Sequence, residues 1–180
     1  LQYSPNITGL STFLLGIINS FFLVRIFIIQ HDCGHRTFLN NDTARNIVGY
    51  MCSLFSTIPY HYWAKSHHIH HANNGMLELR DIGDIDTLTV NEYKALTGWG
   101  KFRYRIYRSI PVMFFIGPVY YVLIHNRLPM IKMDVFKNET WRLYLNNIVL
   151  AGIFLLLGYY LGWYKFFITH LTIIVLFSVI

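Results

Sequence analysis

Residues 7–35 read ITGLSTFLLGIINSFFLVRIFIIQHDCGH, an apolar run that ends in a pair of histidines. The apolar part, residues 7–29, is 23 residues long. At helical rise it covers about 34 Å, enough to cross a hydrocarbon core with some tilt. Arg25, near its end, has the long stem that lets a guanidinium snorkel to the interface. Behind the run, His31 and His35 are four residues apart and share one helix face. They stand where such a helix leaves the membrane.

After 31 intervening residues comes a second group, His67-His68-Ile69-His70-His71. At spacings i, i+3 and i+4, His67, His70 and His71 share a face, while His68 points about 100° away from His67. Seven of the nine histidines fall between His31 and His71, His61 included. A single HxxxH pair arises by chance on many helices. A doubled cluster in an apolar chain is a stronger signal, because histidine is costly at membrane depth. Metal ligation is the expected role, with His31, His35, His67, His70 and His71 as the ligands. His61 is read as interfacial or as supporting a ligand.

Composition sets the class. The 180 residues suit one domain, and they are 54% hydrophobic, 17% aromatic and 13% charged, with mean hydropathy +0.37. That is too apolar for an ordinary soluble domain. The net charge of +6 raises nucleic acid as a partner. Its distribution argues against that: eleven of the fifteen Lys and Arg lie between Lys65 and Arg142, outside the longest apolar runs. This is the loop bias of a cytoplasmic membrane face. The bilayer is therefore the expected partner, with no nucleic acid. Two cysteines, Cys33 and Cys52, make no disulfide framework. Cys33 lies two residues past His31 and faces away from the ligand side. The chain begins without Met and ends inside an apolar run, so it is expected to be a fragment.

Along the chain, residues 40–43 form a turn and a helix N-cap. Residues 44–60 put Ile47, Val48, Met51, Leu54, Phe55 and Ile58 on one side, opposite Asn46, Gly49, Ser53, Ser56 and Thr57. That pattern suits a helix at the membrane interface or on a packed surface better than a full crossing. Parity agrees. Two histidine groups sharing one metal centre lie on one side of the membrane, and two crossings need about 40 residues plus a turn. Pro59 ends this helix, and Trp63 is read as an interfacial anchor. Residues 72–109, polar and mixed, are expected to be a loop with one short helix on the cytoplasmic side. Within them Asp84 and Asp86 pair with Arg80 or Arg103, or are solvated, and Arg103, Arg105 and Arg108 face solvent or headgroups. Residues 110–125 read as a re-entrant or interfacial kinked helix, and 145–161 with 166–180 as two final spans. His170 then sits in the far leaflet and is not a ligand. The fold class is an all-α integral membrane bundle with a cytoplasmic histidine-rich cap and interfacial helices.

The ligand set is nearly all nitrogen. A structural zinc site closes with four ligands, usually including Cys. A zinc protease carries H-E-x-x-H, and a b-type haem needs two histidines facing each other. Five imidazoles at one membrane surface suit two non-haem metals, and iron with open positions is the usual choice for oxygen activation.

The carrying stretches are His31-Asp32-Cys33-Gly34-His35-Arg36 and His67-His68-Ile69-His70-His71-Ala72-Asn73-Asn74. With GDIDT at 83–87 and the Arg- and Tyr-rich run at 102–108, they resemble the membrane fatty acid desaturase family, in particular bacterial and plastid acyl-lipid desaturases. The resemblance covers most of the chain from Phe22 onward. It implies a di-iron centre that uses O2 to place a double bond in a lipid acyl chain. It further implies electrons from an external ferredoxin or cytochrome-type donor, and a multi-pass protein of the bacterial inner membrane. By position, His31 and His35 are first-box ligands and His67, His70 and His71 second-box ligands. The family's third box, another HxxHH, is expected beyond Ile180. Asp32 and Asn73 are candidates to accept the outer N–H of a ligand histidine, or are ordinary cap and surface residues. A related di-iron hydroxylase or ketolase, and a non-catalytic metal-handling membrane protein, are the competing readings.

Overall fold

The computed structural model describes residues 5–80 and 85–180. Every regular element among them is helical. An apolar chain out of reach of water must satisfy its own backbone N–H and C=O groups, and a helix does so within one segment. Helix α1 runs unbroken over Pro5–Gly34, so it continues past the apolar run and through the first histidine pair. The others are α2 (Asp42–Ser56), α3 (Tyr60–Asn73), α4 (Val90–Ala95), α5 (Gly98–Tyr107), α6 (Gly117–Leu123), α7 (Lys137–Leu161) and α8 (Trp163–Val179).

Two segments, Gly9–Gly34 and Asp134–Leu161, are long and apolar enough to cross a membrane. A third is reached only if α5 and Val112–Arg127, bent by 54°, count as one broken span. Helix α8 is apolar but has 17 residues. Leu14, Phe21 and Ile28 on α1, and Ile148, Leu155 and Tyr159 on α7, are exposed. Outward apolar rows of this extent are favourable against lipid rather than water. The chain is a membrane helical bundle.

Helix α2 is inverted relative to a soluble helix. The Asn41 side chain accepts the Ala44 N–H at 2.9 Å and caps it. Its small and polar positions Gly49, Ser53 and Ser56 are buried, while Ile47, Met51 and Phe55 are 50 to 58% exposed. With 15 residues it extends only about 22 Å. An outward apolar stripe on so short a helix fits the membrane interface.

A tight turn then sends α3 back onto α1. Thr57 takes a left-handed backbone, φ 59°, at a cost of about 1–3 kcal/mol for a residue that is not glycine. Gln30 of α1 holds the turn in place. Its Nε2 donates to the Ile58 carbonyl at 3.0 Å, and its Oε1 accepts from the Ser56 hydroxyl at 2.6 Å.

Several boundaries differ from the expectation. Among the described residues of 72–109 there are two α-helices, α4 and α5, not one, besides a 3-10 turn over Leu77–Leu79. Thr97 caps α5 by accepting the Gly100 N–H at 3.1 Å, and glycines at 98 and 100 mask that helix in the sequence. Arg80 pairs with Glu92 at 2.6 Å, and Asp86 is exposed, the solvated alternative. The Thr89–Glu92 capping box pulls that carboxylate to the start of α4, within reach of Arg80. Asp84 lies outside the described residues. Helix α7 begins at Lys137, two turns before its apolar part, because helical hydrogen bonding does not stop where hydrocarbon ends. Gly162, at φ 85°, makes the reversal into α8.

In the 110–125 stretch a π-turn over Val112–Ile116 precedes α6, and the Gly117 N–H reaches back to the Val112 carbonyl. Pro118 has no N–H and would clash with the carbonyl four residues earlier, so the helix widens there. The core beneath the first histidine pair joins Ile58, Trp63, Val122, Ile174 and Phe177, with Leu23, Val24 and Phe27 packed against them. Trp63 is therefore not the interfacial anchor expected from the sequence; it is 4% exposed. Its indole finds more apolar surface on Phe27 than a headgroup region would offer.

Candidate metal centre

Helix α3 presents two different sides. Tyr62, Ser66 and Ile69 follow i, i+4, i+7 and face α7, where Tyr62 packs with Phe136 and Leu143 and its hydroxyl accepts the Ile131 N–H at 3.0 Å. Trp63, His67 and His71 follow i, i+4, i+8 and face the end of α1. Two helices thus bring two histidine pairs, four residues apart on each, against one another.

The result is a tight set of ring nitrogens. One ligand atom from each of His31, His35, His67 and His71 lies within 4.8 Å of all the others. His67 Nε2 is 3.1 Å from Nε2 of His31, of His35 and of His71. A neutral imidazole nitrogen has one in-plane site, either an N–H or a lone pair. Three partners at that distance exceed what hydrogen bonding can satisfy. A cation about 2.1 Å from each nitrogen sets neighbouring ligands about 3.0 Å apart in octahedral geometry. The donor set and its spacing fit a bound transition metal.

Protonation agrees with that fit. Burial, then the imidazoles of His31, His71, His35 and His70, hold His67 down to about 4. Burial and the same kind of neighbours lower His35. Near neutral pH these lone pairs are free for a metal.

His70 lies at the edge of the group. Its ring is 6.1 Å from that of His67 and 5.5 Å from that of His71, but its nitrogens are not among the converging four. On α3 it points about 60° away from His67 and about 100° away from His71. His68 is exposed. Asp32 Oδ1 is 3.2 Å from His31 Nδ1, the position that fixes the tautomer and leaves Nε2 facing the cluster. Asn73 is the last residue of α3 and half-buried. No side-chain hydrogen bond joins it to a histidine among the described residues. Cys33 is buried on the other side of α1. His170 sits between Phe154 and Phe166 on α7 and α8, its ring stacked on Phe166 at 5.3 Å.

Trp63 is the site residue that spacing alone did not single out. Its indole stacks on His67 at 4.7 Å and 18°, meets His31 at 5.8 Å, and rests edge-on against Phe27 at 5.2 Å. It forms an apolar floor under the cluster. Gly34 makes room for it: a Cβ there would stand 3.2 Å from Trp63 Cζ3. The signal was present as Trp63-x3-His67-x3-His71, one residue per turn along a single face.

His61 has a separate environment. It faces α7, 3.4 Å from Arg142 Nη1, and burial followed by the Arg142 charge holds it down to about 4.

The family model described as fatty acid desaturase matches residues 7–180. A fatty acid desaturase of Bacillus subtilis is 38% identical over 167 residues, covering 93% of this chain and 47% of its own length. An sn-1 acyl-lipid omega-3 desaturase (ferredoxin) of Synechocystis sp. is 40% identical over 53 residues, 29% of this chain and 15% of that protein. An acyl-lipid omega-3 desaturase (cytochrome b5) of Arabidopsis thaliana is 42% identical over 53 residues, 29% of this chain and 14% of that protein. The chain spans about half the length of the Bacillus relative, 47%, and less of the others. No solved structure matches it.

Proposed function

Because this chain belongs to the fatty acid desaturase family, we propose that it is part of an O2-dependent acyl-lipid desaturase whose metals are held at the α1–α3 seam. The observation that carries this reading is the convergence of three Nε2 atoms, those of His31, His35 and His71, on that of His67. His31, His35, His67 and His71 would ligate one side of a non-haem di-iron centre. His70, turned away from the seam, would serve the second ion, together with ligands from a third histidine box elsewhere in the full protein. When bound, such a centre uses O2 and electrons from an external donor to remove two hydrogens from an acyl chain, with the oxygen leaving as water.

The protein's own groups prepare that chemistry. Asp32 accepts the Nδ1 proton of His31 and aims its Nε2 inward. Trp63 closes the membrane side of the cluster and keeps water from His67. Gln30 fixes the turn that sets α3 against α1. Asn73, close to His70 in sequence, would orient an outer ligand. Residues 7–29, 145–161 and 166–180 would span, with 44–60 and 110–125 at the interface and both boxes on the cytoplasmic side of a bacterial inner membrane. A ferredoxin or cytochrome-type protein would supply the electrons.

Relatives named desaturases, one of them matching 93% of this chain, favour the desaturase reading over a hydroxylase or ketolase. Histidines gathered at one helix end, not strung along a path, argue against transport. The test is to express the full-length protein, count its iron and analyse cell lipids. Two irons and a new double bond, both lost in His67→Ala, support the proposal. An oxygenated product supports the hydroxylase instead, and zinc or copper without oxygen consumption supports metal handling.

A further inference from the structure

Helix α5 leaves an unusual face open. Trp99, Phe102 and Ile106 lie on one side of it, 65%, 51% and 48% exposed, and Ile110 continues the row at 71%. The Trp99 and Phe102 rings stack at 5.4 Å. At 100° per residue, Arg103 falls on one flank of this stripe and Arg105 on the other. Between Gly98 and Ile110 the chain carries Lys101, Arg103, Arg105 and Arg108 and no acidic residue.

The opposite face is pinned to the protein. The Tyr104 hydroxyl accepts the Leu88 N–H at 3.1 Å, and the Tyr107 hydroxyl accepts the Asp86 N–H at 3.0 Å. Arg105 Nε donates to the Tyr93 hydroxyl at 2.8 Å. These ties fix the rotation of α5, so the aromatic row must point outward.

We infer that α5 is a lipid-charge reader: its aromatic row inserts between acyl chains at the membrane surface, and Arg103 and Arg105 bind the phosphates of anionic lipids on either side. The row leads directly into the apolar 110–123 segment, which favours a membrane over an acidic protein as the occupant. An aromatic row flanked by basic side chains is the pattern of a helix lying at an anionic membrane surface. The inference rests on the membrane character of the chain, not on the proposed activity.

The test uses the full-length protein in nanodiscs, with a fluorophore attached at Phe102→Cys. Quenching is measured with brominated phosphatidylglycerol and with brominated phosphatidylcholine. The expected result is quenching by both lipids, severalfold stronger with the anionic one. In Arg103→Gln, which leaves the ties of α5 intact, the preference falls by about twofold to fivefold, while quenching by phosphatidylcholine and bound metal content persist. Equal quenching by the two lipids in the unsubstituted protein overturns charge recognition. No quenching by either overturns insertion. Shielding of the fluorophore by an acidic electron-donor protein, in place of lipid quenching, assigns the face to that partner and also overturns the inference.

Discussion

Helix α3 carries His61 on one side and His67 on the other, and both are held down to about 4. The causes differ. His61 is half-buried beside one guanidinium, that of Arg142. His67 is buried among four imidazoles, three of which bring a ring nitrogen to 3.1 Å. A lowered proton affinity alone therefore does not mark a metal ligand. Convergence of lone pairs does, and it separates two histidines on one helix that titration would rank together.

The largest expected effect comes from breaking the converging side. His31→Ala and His71→Ala each remove one of four nitrogens and should abolish tight metal binding, read by calorimetric titration of the metal-free protein with Co2+. His61→Ala should leave that affinity within about twofold, since Arg142, not a metal, is its neighbour. Trp63→Ala comes next. It empties a site that is 4% exposed and should cost about 3–5 kcal/mol of stability, seen as a lower Tm in detergent; Trp63→Phe should recover part of it. Asp32→Asn should weaken metal binding by about 10- to 100-fold while leaving Tm nearly unchanged.

The pH response is smaller and involves both sides. The folded protein keeps His61 and His67 neutral to about 4, whereas the unfolded chain protonates them near the usual 6.5. Between those values the unfolded state binds more protons. The stability tied to their neutrality is full above about pH 6.5 and is lost as pH falls toward 4. Tm of the metal-free protein should decline over that window, and His61→Gln should make the decline shallower without changing metal affinity.

The residues that spacing could place were those whose role follows from helical periodicity. The first apolar run, a helix cap within residues 40–43, the apolar stripe of α2 and the separation of His68 from its neighbours all follow from residue type and helical spacing. What periodicity could not show was which helix meets which. Trp63 reads as an interfacial aromatic until Gln30 and the left-handed Thr57 turn α3 back onto α1; only then does it become a floor. The distinction between His70 and the other four also depends on how α3 is rotated against α1. Arg80 illustrates the same limit: its partner Glu92 is twelve residues away, and a local capping box brings it there.

A metal centre at the seam between α1 and α3 must fail when its middle ligand is removed. Adjacent residues His67 and His68 give the sharpest test, since one lies at the middle of the converging nitrogens and the other is exposed. Iron per chain should be measured in the purified full-length protein and in His67→Ala and His68→Ala. Two irons are expected in the parent and in His68→Ala, and loss of iron in His67→Ala. Full iron content in His67→Ala would contradict a metal centre at this seam.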